Sequence, residues 1–153
     1  MKKRLWPNVP AAGPGFSALL LALAVIAAGA PPGVAVRGAW MRSIIPARPA
    51  AGYMTLVNDG DAAVSLVGAS SPGCGTLMLH RSVERGGQEM MEMLASVRVP
   101  AHGSVTFAPG GYHLMCTQPG PAVAPGGTVP ITLRFDNGMT LTVGFPVRGA
   151  LGN

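Results

Sequence analysis

Lysine is missing from this chain after position 3, and charge of either sign is scarce throughout. Only 11% of the 153 residues are charged, six of them acids, and aromatics make up 5%. The acids are too few and too scattered for the paired carboxylates of acid–base catalysis. There is no Ser-His-Asp set and no nucleotide-binding loop, so the sequence reads as that of a protein that is not an enzyme. A basic patch with interleaved aromatics is missing as well. Beyond residue 33, eight arginines face six acids, a net charge of +2, and nucleic-acid binding has no support. No internal repeat is present, and no helical stretch of useful length follows residue 33. With two cysteines and three histidines, any site chemistry must be assembled from few parts.

What is present begins with a leader. Met1-Lys2-Lys3-Arg4 is basic, and an apolar run from Phe16 to Ala30 follows. A basic start, a short apolar core and small residues have the form of a secretory signal. A retained anchor fits less well, because a spanning helix takes about 20 apolar residues. Cuts after Ala28, Ala30 or Ala35 are all compatible with the small residues there. The expected organisation is a signal peptide and leader over 1–33, one domain over 34–148 and a short tail over 149–153. The domain's length, about 115 residues, is enough for one modest core. Export puts it in the periplasm, with membrane contact only through the signal segment or an acceptor.

Turn residues punctuate the domain every eight to twelve positions, the rhythm of an all-β sandwich. Strands are expected at 35–41, 52–58, 64–70, 76–82, 89–94, 104–107, 113–117, 128–135 and 139–147. Val129, Ile131, Leu133 and Phe135 alternate with more polar neighbours, as do Leu141, Val143, Phe145 and Val147. Such alternation marks half-buried antiparallel strands. Asn137-Gly138 between them predicts a two-residue hairpin turn. The Pro/Ala-rich segment 45–51 reads as a surface loop.

Four side chains carry the chemistry: His80, Met91, His113 and Met115. Imidazole nitrogen and neutral thioether sulfur suit a soft copper(I) ion, whereas zinc prefers thiolate, imidazole and carboxylate. His113 and Met115, two apart, leave a strand from one face. A hairpin joining 76–82 to 89–94 is expected to bring Met91 near His80. Met93 shares Met91's parity and is a candidate fifth donor or stand-in. Met54, Met78, Met90 and Met139 read as packing or exposed residues, because methionine commonly fills gaps. His102, in Pro100-Ala101-His102-Gly103, reads as a solvated turn residue. Met91 and Met115 are expected to be accessible, framed by Gly110, Gly111 and Tyr112.

The spacing His80-x10-Met91-x21-His113-x-Met115 resembles the periplasmic copper chaperone family PCu(A)C. Gly38-Ala39-Trp40-Met41, Ala51-Gly52-Tyr53-Met54, Gly110-Gly111-Tyr112-His113 and Thr128-Val129-Pro130-Ile131 are similar to that family too. The resemblance implies a cupredoxin-like Greek-key β-sandwich of roughly eight to nine strands that binds copper(I) through the four residues. It also implies delivery of copper to the copper-A centre of cytochrome oxidase, in subunit II, directly or with a thioredoxin-like chaperone. Arg81 departs from the family, which often has an acid there, and this change is expected to alter the field beside the metal. Cys74 and Cys116 are a second departure.

An even cysteine pair in an exported protein reads first as a disulfide, with two free thiols as the alternative. A thiolate ligand is disfavoured, because Cys116 points away from the face of His113 and Met115. The same observation disfavours a blue-copper electron-transfer site, which needs a Cys ligand beside its histidines. The competing functional reading is a copper-independent exported β-sandwich with a structural or adhesion role.

Overall fold

The computed structural model describes residues 33–150; the signal segment, the cut points after Ala28 and Ala30 and the last three residues of the tail lie outside the described residues. Ten strands form in chain order: β1 (Val34–Arg42), β2 (Ala50–Asn58), β3 (Val64–Ser70), β4 (Cys74–Arg85), β5 (Gln88–Leu94), β6 (Val97–Val99), β7 (Gly103–Phe107), β8 (Tyr112–Pro119), β9 (Thr128–Phe135) and β10 (Thr140–Arg148). Among the described residues no helix is long and apolar enough to cross a membrane.

The strands run in the order β5-β4-β8-β7-β2-β1-β10-β9-β3-β6, with a further β8–β2 pairing. A short parallel contact, Met41 opposite Val147 and Arg42 opposite Arg148, joins β1 to β10 and hence one layer to the other. The open ends are β5 and β6. One core cluster draws on both layers, with Phe107, Leu114, Met41 and Leu66 packed together with Phe135 and Phe145. Alternation in β9 explains why. Val129, Ile131, Leu133 and Phe135 are all buried, and the residues between them are not. The all-β sandwich expected from the turn rhythm is the observed class. The tenth strand, β6, was not anticipated, because three residues carry too little periodicity to stand out.

Two turns decide register. Between β4 and β5 the chain reverses at Gly86-Gly87, both with left-handed backbone (φ 61° and 77°). Consecutive left-handed residues make the tight turn whose twist matches antiparallel strands, and glycine takes that conformation at little cost. Arg85 then faces Gln88, and the ladder runs on to His80 opposite Met93 and Leu79 opposite Leu94. The β9–β10 turn differs from the two-residue form expected. Gly138 alone is left-handed there (φ 83°), and Phe135 N–H donates to the Met139 carbonyl at 2.9 Å. Three residues, Asp136 to Gly138, therefore make the connection, with the extra glycine as a bulge.

Candidate metal centre

His80 and His113 face each other directly across β4 and β8. Directly opposed residues in an antiparallel pair project from the same side of the sheet. Their rings meet edge to face, 5.7 Å between centroids. Met115 lies two residues along β8 from His113, opposite Met78 on β4 and Ala51 on β2. On β5, Met93 stands opposite His80, and Met91 stands opposite Ser82. His80, His113, Met78, Met91, Met93 and Met115 thus share the outer face of this layer, while Leu79, Leu114 and Cys116 turn inward to the core. Met91 is near His80, but on the diagonal: the straight-across partner is Met93.

Each imidazole has one committed or buried nitrogen that decides its use. His113 is 4% exposed. Its Nδ1 lies 3.1 Å from the Gly111 carbonyl, which also accepts from Ser82 N–H at 3.1 Å. With Nδ1–H donating there, Nε2 keeps its lone pair, the tautomer that metal-ligating histidines adopt when a carbonyl orients them. Nε2 of His113 and Nδ1 of His80 are both buried without a hydrogen-bond partner. Leaving a buried polar atom unpaired costs about 1–3 kcal/mol, so two in adjoining rings call for a ligand. Burial, and then the proximity of His113, holds the His80 imidazole below its ordinary pKa of 6.5. It is therefore neutral and able to donate its lone pair. Among the described residues no group of three or more His, Cys, Asp or Glu could hold a metal. A metal here must draw on methionine.

The methionines supply that need from two directions. Met91, 59% exposed, and Met115, half-buried, line one cavity of about 500 Å³. Its other walls include Arg42, Ile44, Ile45 and Arg48, from the end of β1 and the loop before β2. The expected frame of Gly110, Gly111 and Tyr112 is not what surrounds the sulfurs. Tyr112 instead packs toward Phe107, centroids 5.6 Å apart, and the glycines' part is Gly111's carbonyl on His113. The Pro/Ala-rich composition of the β1–β2 loop marks it only as surface. The adjacent pair Ile44-Ile45, each 57% exposed, was the available signal, since two large apolar residues before a proline serve no core there. Arg42 is held in place by Tyr53, donating to its hydroxyl at 3.2 Å.

Arg81 does not place its charge beside the imidazoles. Strand alternation sends it to the opposite face, where its guanidinium donates to Glu92 at 2.7 Å. That ion pair lowers the Glu92 pKa, chiefly through the hydrogen bond. The cysteines form a disulfide, Cys74–Cys116, with Cα atoms 5.5 Å apart, and no free thiol remains. Met54 is core, and Met90 is half exposed. Met78, read as packing or exposed, lies on the same face as the histidines. His102 sits in the β6–β7 turn with Nε2 2.8 Å from Asp61 Oδ1, far from the other two imidazoles in the fold.

Residues 34–147 match the family described as LpqE-like. The chain belongs to the LpqE-like family. A curated relative, "Putative lipoprotein Lxx21020" of Leifsonia xyli subsp. xyli (strain CTCB07), is 34% identical over 121 residues, covering 78% of this chain and 72% of that one. The solution structure of CuI-DR1885 from Deinococcus radiodurans is 33% identical, covers 82% of this chain and 84% of its own, and superposes with a TM-score of 0.64. The copper-bound PCuAC domain from PmoF2 gives a TM-score of 0.65 at 23% identity, covering 78% and 96% of the two chains, a likeness of fold. This LpqE-like chain thus has the PCuAC type of architecture that its motif resembles.

Proposed function

We propose that this chain is an exported copper(I) carrier, holding one ion with His80, Met91, His113 and Met115 in the domain over 34–148. The observation that carries the reading is the pair of buried imidazole nitrogens without partners, on the sheet face that also carries the thioethers. A soft d10 ion fits that donor set, and neutral sulfur binds it without losing a proton. The copper-independent reading leaves both nitrogens buried and unsatisfied. Membership of the LpqE-like family, and the copper(I) form of the one-third-identical DR1885, support the same conclusion.

The half-open site suits transfer. Met91 is exposed, and a thiolate-bearing acceptor can displace a thioether without prying the sandwich apart. We assign the acceptor as the copper-A centre in subunit II of cytochrome oxidase, reached directly or through a thioredoxin-like chaperone, and the compartment as the periplasm. The test is a titration of the full chain with copper(I) against a chromogenic copper(I) chelator. One equivalent should bind, and His113→Ala or Met115→Leu should weaken it by at least about tenfold. Affinity unchanged in both variants would overturn the reading.

A further inference from the structure

Met93 is the residue that register sets straight across from His80, yet the four-residue motif passes it over. Pairing lays the outer face out in rows. The middle row runs Met93, His80, His113; the row to one side holds Met91 and Ser82; the row to the other holds Met78 and Met115. Directly opposed residues stand about 4.5–5.5 Å apart at Cβ, and diagonal ones about 7–8 Å. Met93 is thus set nearer to His80 than Met91 is. Among the described residues it is also the most open of the large apolar side chains, 69% exposed on an end strand of the sheet. Beside it opens a second cleft of about 490 Å³, which Met93 and Met78 line together. Exposed sheet edges are usually blunted by charge or proline, and two bare thioethers on one face of an edge strand need another reason.

We propose that Met93 is a fifth donor, exchanging with Met91 on the same copper(I) ion, and the sulfur through which the ion enters and leaves. The proposal rests on the copper(I) reading above. The step is a ligand exchange: a Cu–S bond to Met93 forms as the Cu–S bond to Met91 breaks. Both sulfurs are neutral, copper stays at +1, and no proton or electron moves. The two imidazoles hold the ion throughout. Bound through Met93, it lies at the open strand; bound through Met91, it lies under the Ile44-Ile45 lip.

Two measurements test this. In the full chain carrying ¹³C-methyl methionine, one equivalent of silver(I), a redox-silent d10 ion, should shift the methyl signals of Met91, Met93 and Met115. Met90, on the opposite face of β5, should not move. A static Met93 with Met91 and Met115 shifted overturns the exchange and leaves the carrier standing; no shift at any methionine overturns both. In a copper(I) titration, Met91→Leu and Met93→Leu should each cost about tenfold or less, and the double variant about a hundredfold or more. A double variant no weaker than Met91→Leu alone overturns the proposal. Both positions are exposed, so leucine leaves the packing intact.

Discussion

A histidine becomes a useful ligand only when its second nitrogen is spoken for. The Gly111 carbonyl does this for His113, at 3.1 Å, and the carbonyl is itself fixed by Ser82 N–H. For His80 the protein acts on charge instead. Burial and the neighbouring His113 disfavour the imidazolium, so the folded pKa lies below the unfolded one. Stability from this residue is then complete above the unfolded value, about pH 6.5, and is lost as pH falls through the folded one. Copper(I) needs the neutral ring too. Affinity is expected to fall on acidification, with the share that belongs to His80 setting in lower than it would for an unshifted imidazole. Chelator competition at pH 7, 6 and 5 measures it. In His80→Ala, what binding remains should lose the part of the pH slope that belongs to this ring. These properties were not legible in the sequence. Motif spacing named the histidines, but a tautomer depends on which carbonyl the fold brings alongside.

The hairpin of β4 and β5 shows how one short turn sets the composition of a site. Side chains alternate with period two, so a slip of a single residue would exchange Met91 and Met93 for Met90 and Glu92 on the histidine face. Gly86 and Gly87 prevent that slip. Neither would meet any atom if given a Cβ, so their requirement is conformational alone. Replacing both with alanine should cost about 1–2 kcal/mol per residue, read from urea unfolding, and should weaken copper(I) binding in the same protein. Nine of the ten strands were legible from alternation and turn residues, and β6 was too brief to be seen. The position of Met91 was legible only as far as its strand. Its diagonal placement follows from two glycines six and seven residues from His80, and spacing along the chain does not reveal which turn they adopt. The Ile44-Ile45 pair is legible as an apolar dipeptide out of place in a loop, but a loop's sequence does not say which cavity it borders.

At the scale of the whole molecule, β8 is the hub. It pairs with β4, β7 and β2, and its residues alternate between the two faces. Leu114, fully buried between His113 and Met115, fastens that stretch of β8 to the core. Leu114→Ala should destabilise by about 2–5 kcal/mol in denaturant titration. The disulfide ties β4 to β8 over a sequence separation of 42 residues. Replacing both cysteines with alanine should cost about 3–4 kcal/mol, seen as a lower urea midpoint, while His80, Met91, His113 and Met115 keep their places on the outer face. Adjacent positions 115 and 116 therefore carry sulfur of two kinds, one turned out and one turned in. On the proposed copper(I) reading, the backbone of the sheet would lie between the ion and the cystine, whose sulfurs face the core. The bridge that stiffens the scaffold would thereby stay out of the ion's coordination sphere during loading and unloading.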